Sequence, residues 1–407
     1  MERAGVAARP GRGAAGRGGG PGARRGEADG AGARPAWIAP FRFAFPPFPS
    51  SLGSAEAARP RGAPAADLRE TTGMRGHVSL GTHHDGAPRP GGESADPVLG
   101  HAFRIRKAIE TVIEGKPEIV RMALTVLLAE GHLLIEDVPG VGKTMLAKAL
   151  GRAVDGTVQR IQFTPDLLPG DITGVSVYHQ ERHAFEFSPG PVFANIVLGD
   201  EINRASPKTQ SALLECMEEM QVSVDGTARP LAPPFMVVAT QNPGDMEGTY
   251  PLPEAQRDRF MARISVGYPA PQAELDMIDM HSAASPLDRL APVAGVADVR
   301  AMAEYVRTVH VAPGVRRYVV DLVTATRTSP LLRLGASPRA TLHLVRAARA
   351  YAALEGRGYV VPDDVQALAV PVLAHRLLLA PEARMEQHTA EQVVADLVAR
   401  LPIPAPR

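Results

Sequence analysis

Residues 135–144 read Ile-Glu-Asp-Val-Pro-Gly-Val-Gly-Lys-Thr. The apolar run His132-Leu133-Leu134-Ile135 leads in, and Met145-Leu146-Ala147-Lys148-Ala149-Leu150 leads out with helical spacing. The local expectation is strand, glycine-rich turn, helix. In such a turn successive backbone N–H groups point inward at the start of the new helix, where the helix dipole adds positive potential, and the result is a seat for phosphate. Lys143 would reach the outer phosphates as a point charge, and the Thr144 hydroxyl would ligate Mg²⁺. The candidate cradle takes in Asp137, Val138, Pro139, Gly140, Val141, Gly142, Lys143, Thr144 and Met145. The full pattern has a glycine five residues before Gly142, where this chain has Asp137. The plain alternative is a structural strand-to-helix connection.

Further motifs follow in order. Ile196-Val197-Leu198-Gly199-Asp200-Glu201 is an apolar strand ending in two acids. At the C-terminal edge of a buried parallel strand such acids stand where α/β sheets bind ligands. Asp200 would hold Mg²⁺ through water and Glu201 would polarise an attacking water; an acid pair complementing a helix dipole is the bland reading. The strand 235–242 ends in Asn242 before a proline, so Asn242 either orients water or a phosphate oxygen or forms a turn. Arg259, between Asp258 and Phe260 before the strand 262–266, is either a surface ion-pair partner or a group that reaches a neighbouring subunit's γ-phosphate. Arg339 opens a helix, a place the dipole disfavours for a cation, which hints at an anionic partner.

Between these motifs the patterns predict helices at 103–113, 119–129, 145–154 and 207–220, strands at 158–163 and 196–200, and hairpins at 174–187 and 222–231. His179 and His183 near the tip of the first hairpin lack the cysteine and carboxylate company of a metal site. The single cysteine, Cys216, permits no intrachain disulfide, suits a reducing compartment, and reads as a small core residue in its helix. Beyond residue 270 the expectation is an all-helical domain, with helices at 272–281, 296–309, 313–326, 338–354, 362–368 and 389–401. Residues 1–95 are rich in Ala, Gly, Arg and Pro, lack any period, and read as a disordered tail. Translation from Met74 would remove most of it. That stretch carries 13 Arg against 8 acids in a chain of zero formal net charge, so the remainder is acidic. An acidic core argues against duplex DNA as partner, and no apolar run reaches membrane-spanning length.

Taken together the chain resembles the MoxR family of AAA+ ATPases from about residue 103 to about residue 401. The stretches that carry the resemblance are Glu136-Asp-Val-Pro-Gly-Val-Gly-Lys-Thr144, Asp200-Glu-Ile-Asn-Arg-Ala205, Lys208-Thr-Gln-Ser-Ala-Leu-Leu-Glu215, Ala239-Thr-Gln-Asn-Pro243, Leu252-Pro-Glu-Ala-Gln256 with Asp258-Arg-Phe260, and Ser337-Pro-Arg339. The resemblance implies an α/β fold of P-loop NTPase, AAA+ type. A parallel sheet of five strands would lie between helices at 96–270, with a smaller helical lid at 271–407. By the same likeness Lys143 and Thr144 form Walker A, Asp200 and Glu201 Walker B, Asn242 sensor 1, Arg259 the arginine finger in trans, and Arg339 sensor 2 from the lid. The region 170–187 looks like the helix-2 insert of that clade. Arg257 stands where the family usually has an apolar residue and is a second candidate near the finger. The implied activity is ATP hydrolysis with Mg²⁺ in a hexameric ring, in the cytoplasm, remodelling a client protein alongside a protein with a von Willebrand factor A domain. A chelatase-type motor subunit for metal insertion is the alternative. A nucleotide-gated binding module with negligible turnover is a third reading.

Overall fold

The computed structural model describes residues 95–138, 140–242, 249–269, 271, 275 and 285–404, with side chains from Gly100 onward. The expectations for the tail, for Pro139 and for most of the helix 272–281 lie outside these residues. In chain order the first half comprises α1 (Ala95–Glu110), α2 (Pro117–Leu128), β1 (Leu133–Glu136), α3 (Lys143–Ala153), β2 (Val158–Gln162), α4 (Pro169–Thr173), β3 (Gly174–His179), β4 (Ala184–Pro189) and β5 (Ile196–Asp200). Then come α5 (Pro207–Glu219), β6 (Gln221–Val224), β7 (Thr227–Pro230), β8 (Met236–Gln241), α6 (Glu254–Arg257) and β9 (Ala262–Ile264). The remainder is α7 (Pro286–Arg289), α8 (Val296–Thr308), α9 (Pro313–Thr328), β10 (Leu332–Leu334), α10 (Pro338–Leu354), α11 (Pro362–Leu373), β11 (Leu378–Leu379), α12 (Pro381–Met385) and α13 (Ala390–Arg400).

The central sheet has the strand order β2-β5-β8-β1-β9, and every pairing in it is parallel. Its inner strands are apolar on both sides, as a sheet covered by helices on two faces requires. Alternation sorts these side chains into two layers. Leu133 and Ile135 share one layer with Leu146 and Leu150 of α3, Leu124 and Leu127 of α2, and the helices that follow residue 295. Leu134, Val197 and Val237 share the other with Phe163 and with Leu213, Leu214 and Met217 of α5. The register sets Glu136 beside Gln241, Gly199 beside Ala239 and Gln162 beside Asp200. The C-terminal ends of β1, β8, β5 and β2 therefore emerge at one edge.

Helices after residue 285 start where the turn chemistry dictates. α10 starts on Ser337, whose hydroxyl accepts the Ala340 N–H at 3.2 Å, with proline next in line. The expectation of an all-helical region is corrected in one respect. Leu332–Leu334 pairs antiparallel with Leu378–Leu379, and His310 bridges Tyr359. Runs of two or three residues between helices are too short for alternation to be read. The helical region is tied to the core by cations, one buried and one partly buried. Arg121 of α2 is buried and meets Glu355 at 2.9 Å and the face of Tyr351. Arg346 Nη2 donates to the Glu130 carbonyl at 2.8 Å, just ahead of β1.

Where the sheet begins, a neutral histidine braces it. Buried His132 accepts the Val237 N–H on Nδ1 at 3.0 Å and so donates from Nε2 to the Met217 carbonyl, also at 3.0 Å. One ring thus ties the starts of β1 and β8 to the last turn of α5. Burial pulls the His132 pKa down to about 4. His343 and His375 are pulled down as well, by burial first and by the Arg376 charge second. With folded values below the unfolded value, the unfolded chain binds more protons, so these groups support the fold fully above about pH 6.5 and lose that contribution as pH falls toward 4. The His132 shift alone corresponds to roughly 3 kcal/mol. The urea midpoint of the protein should therefore drop steadily between pH 7 and pH 4.5; a flat midpoint over that range would contradict the neutral brace.

Candidate active site

β1 delivers the phosphate turn at the C-terminal edge of the sheet. Gly140 and Gly142 have φ of +86° and +88°, a region L side chains avoid. A Cβ at either position would meet nothing within 4 Å, so the backbone conformation, and not crowding, calls for glycine. α3 begins on Gly142 with no side-chain cap and no acid in its first turn. Its leading N–H groups face outward with the positive end of the dipole, which is the requirement for an anion seat. Lys143 Nζ donates to the Asp137 carbonyl at 2.6 Å. Burial lowers the Lys143 ammonium below its ordinary value, while the nearby carboxylates of Asp137, Asp200 and Glu201 act in the opposite sense. Thr144 and Met145 are partly buried in the first turn of α3, and Val141 packs on the adjacent apolar layer.

The carboxylate of Asp137 turns away from the cradle. Oδ1 accepts the Val138 N–H at 2.9 Å, and Oδ2 accepts from Ser265 Oγ at 3.0 Å and from the Gly267 N–H at 2.6 Å. This side chain ties the turn to the segment after β9 and braces it from beneath, while the Asp137 carbonyl accepts from Lys143.

β5 brings the acid pair to the same edge. Asp200 is buried, with Oδ1 accepting from Thr240 Oγ1 at 3.2 Å and Oδ2 meeting Arg160 Nε at 2.6 Å. Glu201 adopts a positive φ of 56°, uncommon for a residue with a side chain and concentrated at working sites. Its N–H donates to Thr240 Oγ1 at 3.0 Å, so one hydroxyl of β8 fixes both acids. The Glu201 carboxylate accepts from Gln162 Nε2 at 3.0 Å and meets Arg204 Nε at 3.1 Å. Asn242 follows the last residue of β8, between the phosphate turn on β1 and the acids on β5. Lys143, Asp200, Glu201 and Asn242 are thus brought together as the motif spacing implied. Thr240, Arg160 and Gln162 were missed; their role rests on strand register, which no local pattern reports.

Arg259 and Arg339 lie elsewhere. Arg259 Nη2 meets Glu218 Oε2 at 3.1 Å, Arg339 Nη2 binds the other oxygen of the same carboxylate, and Arg339 Nη1 stands 3.7 Å from Asp258. Glu218 follows Met217, whose carbonyl is held by His132 ahead of β1, so this cluster marks the N-terminal edge of the sheet. The length of β1, about 13 Å at 3.3 Å per residue, separates it from the phosphate turn. Arg339, which the resemblance makes a sensor of the γ-phosphate from the lid, thus stands beside Arg259 at this edge. Arg257 is half-buried in α6, and the charges that act on it are those of Glu254, Glu136, Arg263 and Arg384; it does not join Arg259 on Glu218. Cys216 is buried, and burial pushes its thiol up to about 12, as suits a packing residue.

Similarity to known proteins agrees with this geometry. Residues 132–262 match the ATPase family associated with various cellular activities (AAA), and residues 324–397 match the AAA lid domain. The chain is 48% identical over 315 residues to the YeaC protein of Bacillus subtilis, which is uncharacterised, covering 77% of this chain and 98% of that one. It is 41% identical to Chaperone MoxR1 of Mycobacterium tuberculosis, covering 78% of this chain and 90% of the relative. Protein MoxR of Paracoccus denitrificans is 34% identical, with 73% and 95% covered. A crystal structure from Cytophaga hutchinsonii, provisionally assigned as an ATPase, superposes with a TM-score of 0.73 at 36% identity, covering 77% of this chain and 98% of the other. Phosphate turn, acid-tipped second strand, polar-tipped strand between them and the matching helical region establish that this chain belongs to the MoxR family of AAA+ ATPases.

Proposed function

We propose that the protein hydrolyses ATP at the boundary between two copies of itself in a ring, of hexameric size, and uses the cycle to remodel a client protein. The observation that carries this reading is the division of the sheet into two edges. Lys143, Asp200, Glu201 and Asn242 gather at one, while Arg259 and Arg339 share a carboxylate at the other. Charge-stabilising arginines that stand a strand's length from their own phosphate turn are useful only to a neighbour.

In this reading the N–H groups of residues 140–145 and the Lys143 ammonium hold the β- and γ-phosphates. Oxygen donors suit a hard cation, and the Thr144 hydroxyl with the buried Asp200 carboxylate would hold Mg²⁺, which supplies neutralising charge to the phosphates when bound. Glu201 takes the proton of the attacking water, with Thr240 fixing its backbone and Asn242 orienting the water. Arg259 and Arg339 of the adjacent copy stabilise the charge that develops on the γ-phosphoryl oxygens. The moving bodies are the core at 96–270 and the lid at 271–407. The β3–β4 hairpin exposes Phe185, Tyr178 and Val177, apolar side chains that support a role in gripping a client. A protein with a von Willebrand factor A domain is the partner, the setting is cytoplasmic, and nucleic acid is not a ligand. No helix among the described residues is long and apolar enough to cross a membrane.

Two sets of variants check this. Lys143→Ala should abolish nucleotide binding and turnover together. Glu201→Gln should keep binding but lower kcat by about 100-fold or more, as for loss of a positioned base. Wild-type phosphate release from both would end the enzymatic reading. For the shared site, Lys143→Ala chains mixed with Arg259→Ala chains should regain turnover, and so should Lys143→Ala mixed with Arg339→Ala. Recovery with Arg259→Ala but not with Arg339→Ala would return Arg339 to service of its own chain.

A further inference from the structure

We propose that Glu218 is a positioning residue, the carboxylate that gathers Arg259 of the core and Arg339 of the lid into one unit and presents both to the neighbouring chain's terminal phosphate. This inference rests on the reading that the two arginines act in trans.

The starting point is an acid in an unfavourable place. Glu215, Glu218 and Glu219 crowd the end of α5, and no basic residue lies in its last turn, although the helix dipole disfavours anions there. For Glu218 the compensation comes from two distant segments. Arg259 Nη2 takes Oε2 at 3.1 Å and Arg339 Nη2 takes Oε1. All three side chains are about one-third exposed, so the cluster is reachable from outside.

Two guanidinium groups side by side repel unless an anion stands between them. With Glu218 in place they meet on one carboxylate. Asp258 stands 3.7 Å from Arg339 Nη1, but Glu218 is the carboxylate that both guanidinium groups contact. The holding need not compete with phosphate binding. A guanidinium has five N–H donors, and each arginine commits a single nitrogen to Glu218, so the remaining edge of each fork can serve a phosphate oxygen.

The surroundings make the pair rigid on both sides. Asp258 accepts from Ser337 Oγ at 2.8 and 2.9 Å and stands 3.6 Å from Arg376 Nε. The Phe260 carbonyl accepts from Arg376 Nη2 and meets His375 Nε2 at 3.1 Å. Both chain neighbours of Arg259 are therefore fastened to the segments that carry Arg339 and Arg376. His132 in turn fixes the residue before Glu218 to the sheet. These contacts link Arg259 of the core to the segments that carry Arg339, and Glu218 is the point at which the spacing of the two guanidinium groups is set.

The test compares Glu218→Gln and Glu218→Asp in the full chain, with Arg259→Ala as reference and thermal unfolding to confirm that each variant is folded. Glu218→Gln removes the charge with little change of shape. It should lower kcat about tenfold while leaving KM for ATP within about twofold, the pattern of a lost transition-state contact. Glu218→Asp keeps the charge and should retain a larger share of kcat. Mixed with Lys143→Ala chains, which contribute intact arginine pairs, Glu218→Gln chains should regain turnover. Wild-type kcat in Glu218→Gln, equal losses in Glu218→Gln and Glu218→Asp, or recovery of the Arg259→Ala mixture without recovery of the Glu218→Gln mixture would each overturn the role of Glu218 while leaving action in trans intact. Failure of both mixtures would remove the trans reading itself, and this inference with it.

Discussion

All five strands of the central sheet run the same way, and the site depends on that. In a parallel sheet every strand ends at one edge and begins at the other. β1, β8 and β5 end together, so a glycine-rich turn, an asparagine and an acid pair far apart in the chain become neighbours. β1 and β9 begin together, so the residue ahead of β1 and the Asp258-Arg259-Phe260 segment ahead of β9 become neighbours at the opposite edge. One edge gathers Lys143 and the acid pair, and the other gathers Arg259 and Arg339 on one carboxylate. The proposed shared site follows from that separation, since a single copy does not bring its two edges together.

The chemistry at the phosphate edge is set by what surrounds the acids as much as by the acids. Thr240 accepts from Glu201 and donates to Asp200, and so fixes the relative placement of the two carboxylates. Arg160 and Gln162 on β2 add a cation and an amide beside them. At the arginine edge the same logic recurs with signs exchanged: Glu218 and Asp258 are the anions that hold the guanidinium groups. In both places a neighbouring polar group sets where a charged side chain points.

Much of this was legible in the residue order. The turn at 135–144 carries its own backbone demand, since Gly140 and Gly142 must take positive φ. Apolar runs ending in polar tips identified β5 and β8, and proline with Ser337 marked the start of α10, whose range agrees with its periodicity. The rest depended on distance along the chain. Arg339 and Glu218 are 121 residues apart and Arg160 and Asp200 are 40 apart, so neither pairing leaves a local trace. The β10–β11 ribbon escaped notice for the related reason that its strands are shorter than one alternation of pattern. The position of Asp137 in a phosphate motif likewise says nothing about where its carboxylate turns.

The account turns on which chain's arginines meet which chain's phosphate. The most direct measurement is a structure of the assembled ring with a non-hydrolysable ATP analogue and Mg²⁺. The account predicts a γ-phosphate bounded by Lys143 of one copy and by Arg259 and Arg339 of the next. An analogue whose γ-phosphate is contacted by Arg339 of the same copy that supplies Lys143 would contradict it.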